Sequence, residues 1–206
     1  KDIPLTPWKE PLNRLLDDGG ITVKKEILNI SFDDENIISN QKIISLINNE
    51  SDLEIESIEI AGKRKLTDAL PIIKNRMNAD NKEKQLIAAA AVRNIDPESS
   101  KEEKDLLLSA FNANDENICS LIIKQMKNDN EILPDDKLIQ YINEGSFMVR
   151  NASLSVSEAR ASEVLLPHII QCLSDPRSAM SARSALQVFN DDDVTKLLTL
   201  NDVLNL

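Results

Sequence analysis

The chain has 206 residues, 41% hydrophobic and 29% charged, with 24 Lys and Arg against 35 Asp and Glu, a net charge of −11. That is enough sequence to bury a core, as one domain or one repeat array. Four glycines and 3% aromatics argue against a β-sandwich, a Rossmann unit or a phosphate-cradling loop, which need positive-φ turns; two cysteines and one histidine argue against zinc sites and disulfide frameworks.

Helical periodicity runs along nearly the whole chain, interrupted by short polar stretches. In chain order it predicts Trp8–Leu16 followed by Ile21–Ser31, then Asn36–Ile47 and Asp52–Arg64, then Thr67–Met77 and Lys82–Asn94. Lys101–Phe111 and Asp115–Lys127 follow, then Pro134–Ile142 and Phe147–Arg160, then Glu163–Leu173 and Ser178–Phe189. A last helix, Val194–Leu204, has no predicted second member, and its turn is expected at Asn205. Pro71, Pro134 and Pro167 fall early in first helices, where a missing N–H is tolerated.

The turns inside the pairs recur regularly. One anchor from each (Asp17, Asn49, Asp80, Asn112, Asn143 and Ser174) gives spacings of 32, 31, 32, 31 and 31 residues. All six are Asp, Asn or Ser, residues whose short side chains cap helix starts. Six residues after the anchors stand Val23, Ile55, Leu86, Ile118, Val149 and Met180; eleven after them stand Leu28, Ile60, Ala91, Ile123, Leu154 and Ala185. Two wholly apolar columns predict second helices buried over a wide arc, each gripped by its partner and by the next pair. A fixed period of about 31 residues is the mark of a stacked array whose units cannot bury their own apolar faces. The expected units lie near 4–32, 36–65, 66–95, 99–128, 134–160 and 162–190, with a half unit at 191–206.

With a first-helix proline and an Asp-like turn, these pairs resemble HEAT repeats. The string Leu173-Ser174-Asp175-Pro176-Arg177-Ser178-Ala179-Met180 carries the resemblance, as does Ile142 to Ala152 with Val149-Arg150-Asn151-Ala152 at its end. The resemblance implies an all-α fold: a right-handed α-solenoid of about six helix pairs plus a partial seventh. In that family a basic residue often follows the apolar position of the second helix and pairs with the turn aspartate. Here the column reads Lys24, Glu56, Ile87, Cys119, Arg150 and Ser181, so a continuous ladder is not expected.

Chemistry is sparse. His168 follows Pro167 and lacks a second ligand, Cys119 and Cys172 read as small core residues, and the acidic runs in loops lack calcium-loop spacing. HEAT-like DNA glycosylases hold phosphates on a cationic surface, which a chain at −11 does not offer. Ala88 to Ala91 predicts the closest helix approach in the array, and Tyr141 is expected to pack on a neighbouring pair. No metal, cofactor or catalytic residue is assigned. The expected function is a non-catalytic protein-interaction or scaffolding module in the cytoplasm. Its partner is another protein or another domain of a longer parent chain, with no nucleic acid and no membrane insertion by this segment. The exposed second-helix residues expected to meet that partner are Lys24, Lys25, Glu56, Arg150 and Asn151. The next reading is a cytoplasmic HEAT module of a bacterial membrane protein such as a nucleotide-carrier-like transporter; a HEAT-like lyase comes third.

Overall fold

A computed structural model describes residues 8–32, 34, 36–78, 80–98, 100–112 and 115–204, without the side chains of 198 and 200–204. Thirteen helices and no strand are present among them. They are α1 (Lys9–Asp18), α2 (Ile21–Ser31), α3 (Asn40–Asn49), α4 (Glu54–Lys63), α5 (Leu70–Arg76), α6 (Lys82–Ile95) and α7 (Lys101–Phe111). The second half continues with α8 (Glu116–Gln125), α9 (Asp135–Glu144), α10 (Phe147–Arg160), α11 (Leu166–Gln171), α12 (Ala179–Leu186) and α13 (Asp191–Leu204). Each expected helix is present, with ends shifted by a few residues.

The largest shift is at α3, which starts at Asn40 and not at Asn36. Ser39 caps it, its hydroxyl accepting from the Lys42 N–H, while Ile37 and Ile38 are fully buried in the preceding turn. The expected anchors mark the turns but do not cap the helices. Asn81 caps α6 and Asp115 caps α8, one and three residues past their anchors. The expected final turn at Asn205 lies outside the described residues.

Contacts sort the chain into two compact units, Lys1–Leu107 and Leu108–Leu206, divided within α7. In the N-terminal unit α1 pairs with α2, α3 with α4 and α5 with α6; α4 packs against both α2 and α6, and α3 against α5. In the C-terminal unit α9 pairs with α10 and α11 with α12; α10 packs against both α8 and α12, and α11 against α9 and α13. Second helices therefore lie on second helices, and first on first.

The column eleven residues past the anchors is buried throughout: Leu28, Ile60, Ala91, Ile123, Leu154 and Ala185 are all at most 3% exposed. The column at six residues is buried only at Leu86 and Val149, whereas Val23 is 42% and Met180 73% exposed. Those two stand on α2 and α12, each of which packs on a single second helix within its unit. Burial of the first column is uniform along the chain, while that of the second varies with the helices beside it.

Small residues allow a close helix approach between α4 and α6. A Cβ built on Gly62 in α4 would lie 2.8 Å from the Ala91 Cα and 3.0 Å from its Cβ in α6. Ala88 to Ala91 are buried, as the sequence leads one to expect. In α10 the buried hydroxyls of Ser153 and Ser157 donate to the carbonyls of Val149 and Ser153, so they satisfy themselves within the helix.

Candidate interaction site

Charged side chains fasten the pairs at recurring places. Lys24, seven residues past its anchor, reaches Glu50 in the next turn at 3.4 Å. Arg150, at the same repeat position, reaches Asp175 in the next turn at 3.0 Å. Arg150 also donates to the Ile142 carbonyl at 2.8 Å and to that of Asn143 at 3.3 Å, closing the end of α9. Only two members of that column are basic, and both form the turn pairing. At the opposite ends of the second helices, Arg64 donates to the Ser31 carbonyl that ends α2, at 2.8 Å. Arg160 donates to the Lys127 carbonyl just past α8 at 2.6 Å and pairs with Asp135 at 2.9 Å. Glu54 is nearly buried between Arg76 of α5 and Lys84 of α6.

Of the five residues expected to meet a partner, Lys24, Lys25 and Glu56 belong to the N-terminal unit and Arg150 and Asn151 to the C-terminal one. Lys24 and Arg150 are held as above. Lys25 of α2 pairs with Glu56 of α4 at 2.7 Å. Asn151 is half-buried, and its Oδ1 is buried without a hydrogen-bond partner.

A cleft of about 280 Å³ opens in the C-terminal unit among α8, α9 and α10. Glu116 and Cys119 line it from α8, Gln140, Tyr141 and Glu144 from α9, and Gly145, Ser146 and Val149 from the turn and α10. Tyr141 is stacked on Phe111, ring centroids 6.0 Å apart, which fulfils the expected packing on a neighbouring pair. The Lys137 ammonium lies over the Phe111 ring at 4.8 Å and the Tyr141 ring at 5.8 Å. Burial pushes the Tyr141 phenol up to about 12, with the nearby Cys119 adding to the shift. Burial likewise raises the Cys119 thiol, against the opposing pull of Lys137. A neutral phenol and a neutral thiol leave Glu116 and Glu144 as the charges on the cleft walls.

Other groups supply no chemistry to the site. Cys119 and Cys172 are free and buried, and the His168 Nδ1 lies within 3.2 Å of the Asn143 amide. Among the described residues no cluster of three or more His, Cys, Asp or Glu could hold a metal ion, and no helix is long and apolar enough to cross a membrane.

Comparison with protein-family models, curated proteins and solved structures returned no match. The reading of function therefore rests on the chain's own geometry.

Of the five expected contact residues, Lys24, Glu56 and Arg150 stand in the fastening column and Lys25 and Asn151 one residue past it. Sequence reasoning passed over Glu116, Glu144, Phe147 and Met148. A signal was available: Phe147 and Met148 are large apolar residues in the first turn of α10, just before its buried arc, and they are 48% and 44% exposed.

Proposed function

We propose that the chain is a right-handed α-solenoid of HEAT-like helix pairs acting as a non-catalytic protein-interaction or scaffolding module in the cytoplasm. The observation that carries this reading is the recurrence of the same fastening at the same repeat position, Lys24 to Glu50 and Arg150 to Asp175. Side chains that tie one pair to the turn of the next are what a stacked array needs, because each unit relies on its neighbours for burial. Second helices packed on second helices support the same reading, since such rows present an extended surface to partners. The two free, buried cysteines accord with a reducing compartment.

Architecture and binding are tested separately. A compact chain of 206 residues has a radius of gyration of about 17 Å; small-angle scattering of the solenoid gives a larger value and an elongated distance distribution, and a compact value refutes the architecture. For binding, the chain is immobilised and cross-linked to retained protein. Cross-links concentrated on second helices are expected. Retention no greater than that of an unrelated acidic helical protein ends the interaction reading.

A further inference from the structure

We propose that the cleft among α8, α9 and α10 receives an arginine or lysine side chain from an apolar-flanked segment of the partner protein. The proposal rests on the interaction-module reading and names the partner's chemistry.

The cleft carries two carboxylates without a salt-bridge partner among the described residues, Glu116 at the start of α8, where the helix dipole favours an acid, and Glu144 at the end of α9, where it does not. Glu116 and Glu144 line opposite helices of the cleft, and no salt bridge reaches either among the described residues. Glu144 takes only a 3.4 Å hydrogen bond from Gln140. It ends α9, where the helix dipole favours a cation, although the start of α10 just beyond offsets part of that cost. Two nearby cations pair with neither carboxylate, though the charge of Lys137 is felt at Cys119 on the cleft wall. Lys137 sits over the Phe111 and Tyr141 rings, and Arg150 is spent on Ile142, Asn143 and Asp175.

Shape and polarity select the occupant further. A volume near 280 Å³ falls just below the usual range for drug-sized ligands and suits one long side chain. Ser146 stands on the cleft wall at the start of α10, without a side-chain capping bond. Immediately beside it Phe147 and Met148 are exposed. Aromatic residues and methionine are enriched in protein interfaces, and here they would cover apolar residues flanking the basic one. A bare polyamine has nothing to place on them.

The test uses the whole chain, labelled with nitrogen-15, titrated with the synthetic peptide acetyl-Gly-Leu-Leu-Arg-Leu-Gly-amide. The amides of Glu116, Tyr141 and Glu144 to Val149 are expected to shift together, with binding weakened by added salt. Replacing the peptide's arginine by glutamine, or the protein double variant Glu116→Gln with Glu144→Gln, is expected to weaken binding about tenfold. Replacing the peptide's leucines by serine, or Phe147→Ser with Met148→Ser, is expected to weaken it severalfold. All four protein changes are at exposed side chains, so folding is preserved. Shifts scattered over the acidic surface, indifference to the Glu variants, or spermidine binding as tightly as the peptide would each overturn the proposal. Capture of a partner that survives the double Glu variant refutes the cleft assignment alone, leaving the module reading intact. Peptide binding at the cleft with no captured protein refutes the module reading alone.

Discussion

Gly62→Ala sets helix propensity against helix packing, and the structure determines the sign. Alanine in place of this glycine, one residue from the end of α4, returns at most about 1 kcal/mol of intrinsic stability. The new methyl carbon would stand 2.8 Å from the Ala91 Cα and 3.0 Å from its Cβ, closer than carbon atoms approach in van der Waals contact. The 2.8 Å neighbour is backbone, so it cannot rotate away, and α4 must move off α6. Overpacking of this kind costs about 2–3 kcal/mol, leaving a net loss of about 1–2 kcal/mol. For a unit of this size that lowers the melting temperature by roughly 5–10 °C, read by circular dichroism or calorimetry. Adding Ala91→Gly removes the 3.0 Å contact but leaves the 2.8 Å one, so it recovers only part of the loss. Gly20→Ser is the control. A Cβ there meets nothing within 4 Å, and a hydroxyl at the N-cap of α2 leaves stability unchanged or slightly raised. If Gly62→Ala melts at or above the parent temperature, α4 and α6 do not approach as described.

Arg150→Ala removes hydrogen bonds to Ile142, Asn143 and Asp175 and is expected to cost about 2 kcal/mol in chemical denaturation; Arg150→Lys recovers less than half, because an ammonium cannot reproduce the guanidinium fork. Tyr141 is the only tyrosine, so its phenolate absorbance reports one group: ionisation is expected near pH 12 in the native chain, and stability falls as pH rises from the unfolded value near 10 toward it. Asp175 is held below its usual value of 3.8, first by the Arg177 backbone N–H and then by the Arg177 and Arg150 charges. Its contribution is therefore present above that value and lost as pH falls through the lowered pKa, and acid titration of Asp175→Asn is expected to be flatter than that of the parent. Ala161 sits at φ 49° in the left-handed region; Ala161→Gly is expected to raise stability by about 1 kcal/mol, measured by urea unfolding.

The helix pairs were legible because two local signals coincided: the 3.6-residue apolar rhythm and a polar turn at a constant interval. The column containing Leu28 and Leu154 was legible for the same reason, since its burial is uniform along the chain. Val23 and Met180 have equally apolar side chains, but their exposure depends on which helices lie beside α2 and α12, and a residue's own polarity carries no record of that. The start of α3 was misplaced because Ile37 and Ile38 continue an apolar rhythm that Ser39 cuts by capping. The cleft was hidden for a related reason. Its walls come from Glu116, Tyr141 and Val149, separated by many residues, and the unpaired state of its carboxylates depends on where Lys137 and Arg150 point.

The arginine fastenings carry a record of a longer rhythm. Arg64 and Arg160 are 96 residues apart, and so are the carbonyls they hold, at Ser31 and Lys127. The same interval separates the left-handed residues Lys65 and Ala161 and the helix-starting prolines Pro71 and Pro167. Three helix pairs separate these matched features, whereas the turn fastenings at Lys24 and Arg150 stand four pairs apart, so two rhythms of fastening run along one chain.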